Sequence, residues 1–178
     1  MDFRYEMTFT AELSELCPVL KSRALFAARA EKLALNSYEL QESSTPDAPA
    51  SAAADTPSSA PADTEITFAA HIENTQLPGL ARNLLPRGAD INLTAIFHTD
   101  SDYAKMDMDY QIDIQGAPLS ITLEGVALPA APGSKIIYSG TLKASDPFFG
   151  RLIEKKILSY APQVLENDKD LIMHILGN

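Results

Sequence analysis

A single cysteine, Cys17, stands in the 178 residues. A lone thiol builds neither a disulfide framework nor a cysteine-rich zinc site, and a reducing cytoplasm is the expected setting. Long apolar runs are also missing: none approaches the ~20 residues that a membrane helix needs, so no membrane insertion is expected. The opening MDFRYEMTFT carries acids and no apolar core, and it is not expected to act as a secretory signal. Clusters of Lys and Arg are absent, and 14 basic against 24 acidic side chains leave a net charge of −10. Such a surface repels nucleic-acid phosphates and anionic membranes, which sets both aside as partners. Glycine-rich phosphate loops are missing, and Ser120 and Ser139 lack the flanking glycines of a nucleophile elbow. No cofactor is expected.

What is present is a chain that is 46% apolar and long enough for one domain with a full core, spanning residues 1–178. Phe3, Tyr5, Met7 and Phe9 alternate with Arg4, Glu6, Thr8 and Thr10, the period of a half-buried strand. Ala11 to Leu35 is rich in good helix formers. Pro18, which lacks an N–H, is expected to split it into a short helix near Ala11–Cys17 and a longer one from the N-cap Ser22 to Leu35. A strand follows at Tyr38–Glu42. Ser43 to Thr64, SSTPDAPASAAADTPSSAPADT, holds no aromatic and no Leu, Ile, Val or Met. It is expected to be a flexible insertion, because it cannot bury enough apolar surface to offset its ordering entropy.

Beyond it the two-residue period dominates. Ile66, Phe68, Ala70 and Ile72 share one face, and LPGLARNLLPRG interrupts with a short helix or turn. Ile91, Leu93, Ala95 and Phe97 share the next face. In KMDMDYQIDI the residues Met106, Met108, Tyr110, Ile112 and Ile114 point one way, Lys105, Asp107, Asp109, Gln111 and Asp113 the other. Turns at Gly116-Ala117-Pro118 and Ala131-Pro132-Gly133 separate LSITLEGVAL from KIIYSGTLKA, so the strands read as an antiparallel meander. The chain closes on an amphipathic helix expected from Pro147 to Leu176, ~45 Å long at ~1.5 Å per residue, capped by Ser145 or Asp146 and kinked at Pro162.

The order strand, two helices, six-strand meander and long helix resembles the helix-grip fold of the START-like superfamily (SRPBCC). Within it the chain resembles a mainly actinobacterial family of unknown function. SRALFAARAEKLAL, QGAPLSITLEGVALPAAPGSKIIYSGTLKA and SDPFFGRLIEKKI carry the likeness, the last through Pro147, Phe148, Phe149, Gly150 and Glu154. Ser43–Thr64 departs from the pattern. The resemblance implies an α+β fold in which a curved antiparallel sheet of about seven strands wraps a long C-terminal helix, with two short helices after strand 1. It also implies a cavity between sheet and helix that holds a lipid-like, polyketide-like or other apolar molecule. It supplies no catalytic residues.

The densest carboxylates, Asp100, Asp102, Asp107, Asp109 and Asp113, lack the glycine turn and terminal Glu of a calcium loop. Those of the strand read as its solvated face. His71 and His98 fall on outward faces, His174 lies apart from both, and Cys17 reads as a buried inert thiol. No catalytic or metal-binding residue is assigned. The expected cavity lining is Met7, Met106, Met108, Tyr110, Ile112, Tyr138, Phe149, Ile153 and Ile157, soft or aromatic side chains suited to an adaptable apolar space or to a filled core. Three functions remain open: a non-catalytic binding protein for a small apolar ligand, an enzyme of cyclase or isomerase type, or an interaction module. For the enzyme the only candidates are Tyr110, which the pattern places in the core, and Arg151 and Glu154, which it places on the surface of the last helix.

Overall fold

The computed structural model describes residues 1–35, 37–45, 63–77, 79–100, 102–117 and 119–177. Seven antiparallel strands form one curved sheet in the order β1-β7-β6-β5-β4-β3-β2. They are β1 (Asp2–Phe9), β2 (Tyr38–Thr45), β3 (Asp63–Ile72), β4 (Ala89–Thr99), β5 (Met106–Gln115), β6 (Leu119–Pro129) and β7 (Ser134–Ala144). Helices α1 (Leu13–Leu20) and α2 (Arg23–Lys32) follow β1, α3 (Gly79–Leu84) joins β3 to β4, and α4 (Gly150–Leu158) and α5 (Ala161–Leu176) close the chain. This is the α+β architecture expected from the sequence. The alternation holds in detail: Met106, Met108 and Tyr110 are buried, while Asp109 and Asp113 are exposed.

Three boundaries differ from expectation. Pro18 does not end the first helix, which runs on to Leu20. A proline deprives only the carbonyl four residues earlier of its donor; that residue, Ser14, is exposed and water can serve it. The second helix starts as expected from Ser22, whose hydroxyl accepts the Leu25 N–H at 3.2 Å as an N-cap. Strands β2 and β3 extend into the expected insertion, with Ser43, Ser44 and Thr45 pairing with Glu65, Thr64 and Asp63. Residues 46–62 of that insertion lie outside the described residues.

The last helix is two helices. Pro147 lies in a turn that precedes α4, where the Asp146 carboxylate accepts the N–H groups of Phe148 at 2.8 Å and Phe149 at 2.6 Å. Between α4 and α5, Pro162 cannot donate to the Leu158 carbonyl. The hydroxyl of Tyr5, on the facing strand, donates to that carbonyl at 3.3 Å instead. The expected kink is therefore a break, and β1 fills the vacancy in the helix ladder.

Glu154 also departs from expectation. It is not a surface position but only 9% exposed. Its Oε1 accepts the Ala144 N–H at 3.0 Å, tying α4 to the end of β7, and its Oε2 lies 3.4 Å from the amino-terminal ammonium. The backbone bond from Ala144 is the largest influence on its carboxyl, and with the amino-terminal charge it outweighs burial, holding the pKa below its ordinary 4.5. The folded state thus binds this proton less readily than the unfolded chain. The stabilisation is complete above pH 4.5 and is lost as pH falls through the lower folded value. Glu154→Gln should lower the urea midpoint at neutral pH, and its difference from wild type should shrink on acidification. A difference that persists undiminished in strong acid would remove the charge from this account.

Candidate functional site

The inner face of the sheet is divided between a filled end and an open end, which β1, β4, β5, β6 and β7 line. At the filled end Met7 and Phe9 of β1, Phe97 of β4, Met106 and Met108 of β5, Ala127 of β6 and Ile136 of β7 pack in one cluster with α1 and α2. Leu13, Leu16, Cys17 and Leu20 come from α1, Leu25 and Phe26 from α2, and Ile172 from α5. Burial pushes the Cys17 thiol up to about 11, so it stays a neutral apolar group.

Toward the other end the same faces line a cavity of about 680 Å³. Its floor is Phe3 and Tyr5 of β1, Leu119, Ile121 and Leu123 of β6, and Leu142 of β7. Ile153 and Ile157 of α4, with Ala161, Leu165 and Leu171 of α5, form the roof. Leu33 and Val164 stand at its rim, 59% and 61% exposed. Tyr110 and Tyr138 mark the division, with ring centroids 6.2 Å apart. Tyr138 faces Gly125 across the β6–β7 ladder. A Cβ at that glycine would come within 3.0 Å of the Tyr138 ring and 2.8 Å of the Met108 methyl, so the ring can lie there only over a residue without a side chain.

A polar cluster interrupts the apolar wall. Arg29 of α2 donates through Nε to Asp168 Oδ1 at 2.6 Å and through Nη2 to Oδ2 at 2.8 Å, a bidentate pair linking α2 to α5. Its guanidinium carbon lies 5.0 Å from the Phe26 ring centroid. Burial alone would lower the Arg29 pKa, but the charge and hydrogen bonds of Asp168 outweigh it and hold the pKa above the ordinary value. Both phenols line the same cavity. Burial raises the pKa of Tyr110 against the lowering pull of Arg29, and raises that of Tyr138 further. Both stay protonated, and the Tyr110 hydroxyl is directed at Met108 Sδ, 3.5 Å away and a weak acceptor.

Of the nine expected lining residues, Tyr110, Tyr138, Ile153 and Ile157 line the cavity. Met7, Met106 and Met108 sit on the expected face but in the filled end, and Ile112 is partly buried against that core. Phe149 lies outside, 61% exposed at the start of α4. The helical period aims it at the sheet only if the helix begins at Pro147, and it begins at Gly150. Arg29 and Asp168 escape a reading of the sequence. Each reads as the polar side of its own helix, and no spacing links residues 139 positions apart.

The other sequence candidates stand away from the cavity. His71 Nδ1 lies 2.7 Å from Asp90 and His98 Nδ1 2.9 Å from Asp63, both partly exposed on the sheet's outer side. The Asp90 bond is the main influence keeping the His71 pKa above 6.5. Lys105 pairs with Asp107 at 2.7 Å. Among the described residues, no cluster of three His, Cys, Asp or Glu side chains could hold a metal ion, and no helix is long and apolar enough to cross a membrane.

The chain belongs to the family described as "Protein of unknown function (DUF2505)", which matches residues 4–176. No curated protein matches it. Its fold is similar to that of the protein TTHA0849 from Thermus thermophilus, at 13% identity and a TM-score of 0.55 over 99% of this chain and 97% of that one. A weaker likeness joins it to an uncharacterized protein from Rhizobium leguminosarum, at 11% identity and a TM-score of 0.49 over 98% and 95% of the two chains.

Proposed function

We propose that this is a START-like binding protein that holds a small apolar molecule between the sheet and helices α4 and α5, without catalysing a reaction on it. The observation that carries the reading is the cavity itself. At about 680 Å³ it falls within the roughly 300–1,000 Å³ of small-molecule sites, and it has the apolar wall with few polar groups that such sites share. A non-catalytic role is favoured over cyclase or isomerase chemistry because, among the described residues, no group in the wall is poised as a base. Arg29 and Asp168 neutralise one another, and both phenols hold their protons well past neutral pH. Glu154 is tied to the Ala144 backbone, and Arg151 is exposed on α4.

Filling the space tests the reading. Leu123→Trp puts an indole where the floor faces the cavity. In a packed core such enlargement costs about 1–3 kcal/mol; here the urea midpoint should hold or rise. Affinity for an apolar dye such as Nile red should fall at least about tenfold, or 1.4 kcal/mol. A variant that loses stability and binds the dye as wild type does would refute the proposal.

A further inference from the structure

Resting on that reading, we infer that the ligand carries one uncharged oxygen group, a carbonyl or hydroxyl, which is received at the inner end of the cavity by Arg29, Tyr110 and Tyr138. The polar groups there are arranged for that chemistry. Of a guanidinium's five N–H groups, two are directed to Asp168, and the others remain as donors beside the cavity. The phenols add hydroxyl groups at the division between the filled and open ends; that of Tyr110 is directed at Met108 Sδ, a weak acceptor that a ligand oxygen can replace. The Arg29–Asp168 pair is neutral as a unit. A ligand carboxylate brought here would meet the Asp168 carboxylate as well as Arg29, and a ligand ammonium would meet Arg29 as well as Asp168. Either would lose its hydration without gaining an unopposed partner, which is costly in an apolar site. A ketone or alcohol loses little on leaving water and finds donors in place. Two further cations, Lys32 and Lys156, line the rim. Both are exposed, and Lys156 already lies over the Tyr160 ring at 5.0 Å. In water such charges contribute little to discrimination.

A series of straight-chain compounds of similar length tests this against bound Nile red at neutral pH: methyl nonyl ketone, decyl alcohol, decanoate, decylammonium and decane. The ketone and the alcohol are expected to displace the dye at concentrations about tenfold lower than decanoate or decylammonium, a difference of 1.4 kcal/mol. Tyr138→Phe should weaken the ketone about threefold to tenfold, the loss of one hydrogen bond, and leave the alkane unchanged. Asp168→Asn leaves the Arg29 charge unopposed and should strengthen decanoate about tenfold relative to the ketone. Should that variant fail to fold, the wild-type ranking and Tyr138→Phe still decide. A charged compound that binds wild type as tightly as the ketone overturns the inference and leaves the cavity standing. Failure of the dye and every compound to bind removes the binding reading, and the inference with it.

Discussion

Phe97→Ala is expected to cost about 3–5 kcal/mol of unfolding free energy, whereas Ile153→Ala should cost less than about 2 kcal/mol, below the usual range for truncating a buried isoleucine. Both side chains are nearly inaccessible, at 1% and 4%, so burial alone predicts comparable losses. Their surroundings differ. Phe97 lies edge-on to Phe26 and Tyr110, with centroids 6.4 and 6.3 Å away, inside the filled end. Removing its ring abolishes contacts on every side and opens a new void. Ile153 has the cavity on one side, where partner atoms are already missing; truncation enlarges an existing space. Asp107→Ala, on the outer face beside Lys105, should stay within about 0.5 kcal/mol of wild type. Urea unfolding of the three variants decides: equal losses at Phe97 and Ile153 would mean that the space beneath α4 is packed.

The second large effect lies in the Arg29–Asp168 pair. Arg29→Met and Asp168→Leu should each cost roughly 2–3 kcal/mol. That lies just below the usual cost of breaking a buried pair, because the two side chains are still 24% and 15% exposed. Each single change strands one charge in the cavity wall, without its partner. The double change strands none, and its stability should return to within about 1 kcal/mol of wild type. A double-mutant cycle by urea denaturation measures the coupling. Additive losses would show that the bidentate geometry contributes nothing.

The fold was legible because strands with one wet face must alternate, and the run Met106–Ile114 does so without interruption, as does Ile91–Phe97 but for the outward Ile96. The end of the sheet at which the cavity opens was not legible. Period two assigns a residue to a face, but Met106 and Ile121 share a face and differ in outcome, because α1 and α2 cover one end of it. That difference is set by the course of the helices across the sheet, which no local pattern encodes. Arg29 and Asp168 were hidden for a related reason: a charged residue on a helix reads as wet until the element opposite it is known. Pro162 announces a kink in the sequence, but Tyr5, which makes it a stable break, lies on a strand 153 positions from the Leu158 carbonyl that it serves.

The ladder between β1 and β7, in which Asp2 meets Thr141 and Phe9 meets Ser134, sets an order of assembly. Strands β2 through β7 neighbour one another in sequence and can zip together hairpin by hairpin. Strand β1 is made before all of them yet has no partner until β7 emerges from the ribosome. Contacts of such high sequence separation form late and slow the rate at which a domain folds. Until then the apolar face of β1, with Met7 and Phe9, and the apolar side of α1, with Leu13, Leu16 and Leu20, have no β7 to close the core over them. Until β7 is made, this apolar surface stays unshielded, and that is the interval in which chaperones would have most to hold.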